Sequence, residues 1–164
     1  MGKGGLLDTC SKTLVAVLFL LLASACSLPS ITIIRDPLTP EEHVMLGMSY
    51  EKQGELRAAL EQYGYAKDKK PIAHLYMGNV YFQMKDYERA EEAYKKAVAL
   101  TGEPPAMNNL AWLYFGQGIK LREAESLSER AVSLAPENEE FRDTLARIRR
   151  RIALTRKMPI KATH

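Results

Sequence analysis

The sequence predicts an all-α fold, an α-solenoid of about three helix pairs followed by a capping helix. Three observations support this prediction. One spacing pattern occurs twice in register and a third time more loosely, each copy contains two amphipathic stretches, and a longer helical stretch with one charged face follows the last copy. A fixed period in the range of 20–50 residues is typical of stacked supersecondary units rather than of one irregular core.

The repeated pattern places small and aromatic residues at fixed intervals. The first copy is Gly47-x2-Tyr50-x8-Ala59-x3-Tyr63-x2-Ala66, and the second, 31 residues later, is Gly78-x2-Tyr81-x8-Ala90-x3-Tyr94-x2-Ala97. The looser third copy is Ala111-x2-Tyr114-x9-Ala124-x3-Ser128-x2-Ala131. Small residues at these intervals let two facing helices approach closely, and the tyrosines fill the space between them.

Each copy is predicted to form two helices, because apolar residues recur at three- and four-residue steps. In the second copy these residues include Met77, Tyr81, Tyr87, Ala90 and Tyr94. The prolines that separate the copies suit either the first turn of a helix or the stop before one. They are Pro71, Pro104 and Pro136.

A capping helix is predicted after the third copy, within residues 137–164. Over residues 137–157, one face carries Phe141, Leu145, Ile148 and Ile152, and the other face is charged. A solenoid needs a terminal helix of this kind, because its last apolar face would otherwise be left in water.

The repeated pattern resembles the tetratricopeptide repeat, in which a Leu-Gly-x2-Tyr segment precedes an Ala-x3-aromatic-x2-Ala segment and a proline. Three residues depart from it: His43 and His74 stand where the family prefers Trp, and Lys85 stands where a turn glycine is expected. The resemblance implies helix pairs that stack into a concave surface for a protein or peptide partner. It covers residues 40–136 as three repeats, 40–70, 71–103 and 104–136.

In tetratricopeptide proteins the first helix of each repeat lines the concave face, so the resemblance implies a set of partner-binding residues. Its aromatic members are typical of binding anchors, and Asn79 and Asn109 could bond the backbone of an extended peptide. Two alternatives stay open: the capping helix covers this face, or Trp112 belongs to the core. The predicted set is Val44, Met48, Leu75, Asn79, Phe82, Asn108, Asn109, Trp112 and Phe115.

The amino terminus predicts an export signal. Lys3 and Lys12 precede or border a run of ten apolar residues, 14–23, which is followed by Ser24, Ala25 and Cys26. A run of this length is shorter than the roughly 20 residues of a membrane-spanning helix.

Residues 22–26 resemble the lipobox of bacterial lipoproteins. The resemblance implies removal of residues 1–25, acylation of Cys26, as with palmitate, and a tether over residues 26–39. Ser27 in place of aspartate implies an outer-membrane protein that faces the periplasm within the cell envelope. An ordinary cleaved signal peptide and an uncleaved anchor are the alternatives.

Charge is distributed unevenly along the chain. Residues 36–140 carry 12 Lys/Arg and 18 Asp/Glu, whereas residues 142–164 carry 8 Lys/Arg and one acid. Arg149, Arg150 and Arg151 in the basic end predict a contact with anionic lipid. The alternative is that they form the solvated face of the capping helix. Nucleic acid is not an expected partner of an exported protein.

No motif in the sequence predicts catalysis. A phosphate loop, a nucleophile elbow and a dinucleotide fingerprint are absent from the 164 residues. His43 and His74 lack a second ligand at i+3 or i+4, so they predict packing rather than a metal site.

We therefore expect no enzyme and no cofactor, but a lipid-anchored envelope adaptor or assembly factor. The alternative is a structural subunit that associates with itself or with a larger envelope complex.

Overall fold

Seven α-helices occupy residues 36–157, which are the residues that this computed structural model describes. Cys26, the predicted signal peptide and most of the predicted tether lie outside this range. Within it, no helix combines the length and apolar character that crossing a bilayer requires. In chain order the helices are α1 (Pro40–Lys52), α2 (Leu56–Ala66), α3 (Ala73–Gln83), α4 (Tyr87–Thr101), α5 (Pro104–Gln117), α6 (Leu121–Leu134) and α7 (Glu139–Lys157).

The helices pack as three pairs with a cap. We refer to α1–α2, α3–α4 and α5–α6 as repeats one, two and three, and α7 closes the array by packing on α6 and α5. The Cα atoms of the first helices of successive repeats come within 8 Å of one another, whereas those of the second helices within residues 36–157 do not. The array therefore curves with α1, α3 and α5 on its inner side. This arrangement confirms the predicted all-α solenoid with a capping helix.

The turn between the two helices of each repeat contains a residue in the left-handed region. Gly54 has φ of +77°, Lys85 of +61° and Gly118 of +69°. This conformation costs a glycine nothing but brings the Cβ of any other residue close to its own backbone. Lys85 is thus a strained substitute for the glycine that the other two repeats use.

In repeats one and two, glycine on the first helix makes room for tyrosine from the second. A Cβ on Gly47 would lie 2.5 Å from a carbon of the Tyr63 ring, and Gly78 faces Tyr94 in the same way. Both tyrosines are buried, at 0% and 3% exposure. The glycine and tyrosine positions of the spacing pattern are therefore explained by the close packing of the two helices.

The core runs through all three repeats and ends under the cap. Its larger part joins repeats two and three to α7, whose Phe141 and Ile148 are buried against it. Its smaller part fills repeat one and extends along α3, around Tyr63 and Val80. Because α7 supplies the last apolar layer, the third repeat is covered on both sides.

Glu91 on α4 links repeat two to repeat three. Its carboxylate accepts a hydrogen bond from the Tyr114 hydroxyl on α5 at 3.0 Å and pairs with Lys120 and with Lys95. Partial burial by itself would raise the pKa of this carboxyl, but the three donors outweigh it and lower the pKa to about 2. Glu91 is therefore ionised at neutral pH.

The two histidines at equivalent repeat positions pack against the repeats. His43 is 4% exposed, its Nδ1 lies 2.8 Å from Gln62 Oε1, and its ring lies 5.0 Å from that of Tyr65. His74 is half-buried, and burial, with Lys96 and Lys67 nearby, lowers its pKa. Within residues 36–157, no three His, Cys, Asp or Glu side chains cluster closely enough to hold a metal ion.

Candidate functional site

The first helices present equivalent residues in rows across the three repeats. The repeat spacing aligns Met48 with Asn79 and Trp112, and it aligns Met45 with Tyr76 and Asn109. Both rows face the inner side of the array, where Met48 is 44% exposed and Trp112 is 38% exposed. These two rows define the concave groove.

Three depressions that share lining residues make the groove continuous. The first, of about 650 Å³, lies between α1 and α3, and the second, of about 300 Å³, reaches α5. The third, of about 220 Å³, lies between α5 and α7. The first and second share Glu51, Asn79 and Gln83, and the second and third share Asn109 and Trp112.

The end of the groove in repeat one is rich in apolar side chains. Met45 is 62% exposed there, beside Met48 and Tyr76. Methionine is unbranched and polarisable, so two exposed methionines form a surface that adapts to apolar side chains of different shape. An exposed apolar patch of this kind is typical of an interface.

Polar side chains on the groove floor tie one repeat to the next. Glu51 accepts hydrogen bonds from the Tyr63 hydroxyl at 2.9 Å and from Gln83 Nε2 at 2.5 Å. Asn79 Oδ1 accepts from the Tyr94 hydroxyl at 3.0 Å and from Asn109 Nδ2 at 2.8 Å. Each link joins two neighbouring first helices and is supported from beneath by a buried tyrosine.

The floor keeps its hydrogen-bonding pattern at neutral pH because its tyrosines do not ionise there. Burial, and then the hydrogen bond to Glu51, raise the pKa of Tyr63. Burial also raises the pKa of Tyr94. Both hydroxyls therefore act as donors, and they hold the Glu51 carboxylate and the Asn79 amide in place.

Aromatic side chains form the wall of the groove in repeat three. The rings of Trp112 and Phe115 lie 5.3 Å apart, and the Arg151 guanidinium lies 5.4 Å from the centre of the Phe115 ring. In repeat two, Phe82 packs edge-on against Tyr87 at 5.7 Å. Trp112 thus packs against its neighbours but leaves part of its ring exposed. It is therefore not a core residue, which was the alternative.

The structure places the predicted partner-binding residues in two environments. Met48, Asn79, Asn109, Phe82 and Trp112 line the groove. Phe115 is half-buried behind Trp112, and Val44 is half-buried in the smaller core cluster.

Leu75 is 6% exposed in the core, and Asn108 is 2% exposed at the equivalent position of repeat three. Val44, Leu75 and Asn108 form a row one residue before the groove row of Met45, Tyr76 and Asn109, and that single step turns Val44 and Leu75 from the groove toward the core. Asn108 is as buried as Leu75 but also borders the third depression.

Sequence reasoning left out groove residues from two sources. Met45 and Tyr76 occupy the same row as Asn109, and extending that row by the repeat spacing would have found them. Glu140, Asp143, Thr144 and Arg147 come from α7, which lines the far end of the groove instead of covering it. No repeat pattern extends into α7, so the sequence gives no comparable signal for these four.

The three arginines predicted to contact lipid have unequal surroundings. Arg149 donates to Glu125 at 3.3 Å and to Glu129 at 2.6 Å on α6. Arg151 donates to the Phe115 carbonyl at 2.9 Å, near the end of α5. Arg150 is exposed. Two of the three thus fasten the capping helix to repeat three, and a lipid contact by these arginines stays a prediction.

Comparison with known proteins agrees with the geometry of the repeats. Residues 71–100 match the family model of the tetratricopeptide repeat. The fold is a solenoid of tetratricopeptide repeats. The match covers repeat two, in which the glycine, alanine and tyrosine positions all follow the pattern.

Solved tetratricopeptide domains superpose on most of the chain. The first TPR of Spaghetti (RPAP3), solved with the HSP90 peptide SRMEEVD, is 28% identical, with a TM-score of 0.66 over 74% of this chain and 98% of that chain. The first TPR domain of the human RPAP3 protein is 27% identical, with a TM-score of 0.65 over 72% and 95%. The Sgt2 TPR domain from Aspergillus fumigatus, at 15% identity and a TM-score of 0.67 over 76% and 86%, shows the fold alone. Among curated proteins, none matches the chain.

Proposed function

We propose that this protein is a lipid-anchored envelope adaptor that binds a partner protein in the concave groove of its repeats. The observation that carries the proposal is the continuous groove, with exposed Met48 at one end and exposed Trp112 toward the other. Open apolar side chains cost free energy in water, and a partner that covers them recovers it. Tetratricopeptide domains are protein-interaction scaffolds, and the similar domain from Spaghetti is solved with a peptide.

The groove suits a peptide that offers both apolar side chains and backbone groups. Met45, Met48 and Tyr76 provide the apolar surface. Asn79 uses its Oδ1 within the floor and keeps its Nδ2 donors, while Asn109 uses its Nδ2 and keeps its Oδ1 acceptor. An extended peptide presents a complementary donor and acceptor at each residue, so it can engage both amides.

The charge of the groove argues against an acidic peptide such as SRMEEVD, with which the domain from Spaghetti was solved. The charged residues that line the three depressions are Glu51, Lys52, Glu140, Asp143 and Arg147. Acids outnumber bases in this set, and Arg147 is paired with Asp143 at 2.6 Å. We therefore expect a partner segment that is apolar and neutral or basic.

Photocrosslinking from single positions tests the groove. A photoreactive residue at Met48 or at Trp112 should give the same adduct in the envelope, whereas one at Glu88, which is exposed on the second helix α4, should give none. The adduct mass identifies the partner, and Met48→Glu should abolish its binding to the purified domain. An adduct with the mass of two copies of this chain would instead favour a self-associating structural subunit.

The anchor is tested with the two cysteines of the sequence. Cys26→Ala should remove both the lipid mass and the membrane partitioning of the bacterially expressed protein. Cys10→Ala is the matched control, because Cys10 lies within the segment that we expect to be cleaved. An unmodified Cys26 in the wild type would refute the anchor and leave the groove proposal standing.

A further inference from the structure

The depression between α5 and α7 differs from the rest of the groove in its chemistry. Asn108 and Trp112 on α5 face Glu140, Asp143 and Arg147 on α7 across a space of about 220 Å³. We call this space the α5–α7 pocket. It combines the Trp112 indole, two carboxylates and a buried amide, whereas the methionine-lined end of the groove has Tyr76, one carboxylate and amides that are not buried.

The buried amide is Asn108, which is 2% exposed and whose Oδ1 accepts no hydrogen bond from any residue within 36–157. A buried acceptor without a donor destabilises the fold. Repeats one and two place Val44 and Leu75 at this position, and both pack into the core. Repeat three thus carries a polar group where an apolar one fits. Oδ1 itself has almost no accessible surface, so a turn of the amide toward the pocket has to accompany the hydrogen bond from a ligand donor.

The carboxylates give the α5–α7 pocket a negative balance. Asp143 Oδ2 accepts from Arg147 Nε at 2.6 Å, so this pair is internally neutralised. Glu140 forms no ion pair with any residue in the described range. A positive charge entering the pocket would therefore meet one uncompensated carboxylate as well as the Asn108 oxygen.

We propose that the α5–α7 pocket binds an arginine side chain of the partner. A guanidinium has five N–H donors and no acceptor, which matches the Glu140 carboxylate and Asn108 Oδ1, and its flat face stacks on an indole such as Trp112. The inference rests on the proposed function, because it assigns the pocket to a peptide lying in the groove.

Trp112 is the only tryptophan of the chain, so its fluorescence reports directly on the pocket. N-acetyl-arginine amide should change this fluorescence saturably at fixed ionic strength, with a Kd on the order of millimolar for so small a probe. N-acetyl-glutamate amide should not. Binding of the glutamate probe in place of the arginine probe, or no saturable change with arginine, would overturn the proposal.

Two variants assign the effect to named atoms. Glu140→Gln should weaken binding of the arginine probe by about threefold to tenfold. Glu137→Gln, an exposed acid that does not line the pocket, should leave it unchanged. Equal losses in both variants would show a diffuse charge effect and would overturn the assigned site.

Asn108→Leu separates binding from stability. Because Oδ1 has no partner in the fold, this variant should unfold at the same or a higher denaturant concentration and yet bind the arginine probe about tenfold more weakly. A large loss of stability would show that the amide is satisfied within the fold, and would overturn its role.

If Met48 crosslinks a partner while the arginine probe fails to bind, only this inference falls, whereas the absence of any adduct challenges the proposed function itself.

Discussion

Repeats two and three follow related spacing patterns but fill the space between their helices differently. In repeat two, Gly78 on the first helix receives the ring of Tyr94 from the second, and the Tyr94 hydroxyl continues to Asn79 in the groove. In repeat three, Ala111 stands at the glycine position and Ser128 at the tyrosine position. The Ser128 hydroxyl is buried, and it has no partner within the described residues.

The comparison shows that this pair of positions differs in size between the repeats, because alanine and serine together are much smaller than glycine and tyrosine. Both helix pairs nevertheless pack closely. Repeat three has no counterpart of the hydrogen bond from Tyr94 to Asn79, because serine is too short to reach the groove floor from the second helix. Repeat three instead puts Trp112 at the position of Asn79. One repeat therefore offers an amide to the groove and the next offers an aromatic surface.

The largest expected effect comes from Gly78→Ala. Its Cβ would overlap the Tyr94 ring, and we expect a loss of about 2–3 kcal/mol in the free energy of unfolding, measured by urea denaturation. In a Tyr94→Ser background, which imitates repeat three, the same change should cost little, so the two sites should show strong coupling.

Gly64→Ala is the matched control for this prediction. Gly64 is also helical, but no atom lies within 4 Å of the position of its Cβ. Alanine should therefore stabilise the protein there by about 0.5–1 kcal/mol through helix propensity. A Gly78→Ala protein as stable as the wild type would contradict the close approach of α3 and α4.

The junction between the two repeats should depend on acid through Glu91. Its pKa is lowered from the ordinary 4.5 to about 2, so its stabilisation is present above pH 4.5 and is lost as the pH falls from there toward 2. Because Lys95 and Lys120 are half-exposed, we discount the effect to about 1–2 kcal/mol.

This prediction is checked by urea denaturation across that pH range. Glu91→Gln should be less stable than the wild type at neutral pH, and the gap should narrow in acid. The exposed neighbour Glu92→Gln should show no such narrowing. A constant gap between the wild type and Glu91→Gln would mean that the junction does not depend on the ionised carboxylate.

Removing one hydroxyl from each repeat sharpens the contrast between them. Tyr94→Phe breaks the bond to Asn79 and should cost about 1 kcal/mol. Ser128→Ala removes a hydroxyl that has no partner in the described residues, so it should be neutral or stabilising by up to about 1 kcal/mol. Thermal unfolding of the two variants beside the wild type measures both changes in stability. Equal losses of stability would contradict the difference described between the repeats.

The smallest expected effect lies in the turn of repeat two. Lys85→Gly relieves a left-handed lysine and should stabilise the protein by about 0.5–1 kcal/mol, measured as a shift in the urea midpoint. The reverse change, Gly54→Lys in repeat one, should destabilise it by a similar amount, since only φ and no contact opposes it. A loss of stability in Lys85→Gly would show that the lysine side chain serves the turn.

The fold class could be predicted because close helix packing requires glycine, alanine and tyrosine at these spacings. Gly47 and Gly78 have to be small because a tyrosine ring occupies the space beside them. The residues of the capping helix followed from periodicity, and Phe141 and Ile148 are buried. Local spacing is sufficient for such features, since each helix pair is contiguous in sequence.

The groove was less predictable, for two physical reasons. Adjacent residues on a helix differ by about 100° in direction, and only the packed structure shows that Asn109 faces the groove while Asn108 is buried. The acidic end of the groove depends on how α7 docks on α5, which brings Glu140 to Trp112 from a distant part of the sequence. No spacing rule encodes that contact.

The floor of the groove also sets how tightly the array is curved. The links Glu51–Gln83 and Asn79–Asn109 join neighbouring first helices on the inner side, while the backbones of the second helices described within residues 36–157 lie farther apart on the outer side. Hydrogen bonds on the inner side thus stabilise the curvature. The amides that form them, those of Gln83, Asn79 and Asn109, also face the groove. A ligand that competes for these groups would therefore act on the links between the repeats as well as on the groove. Recognition and curvature thus depend on the same side chains of the groove floor.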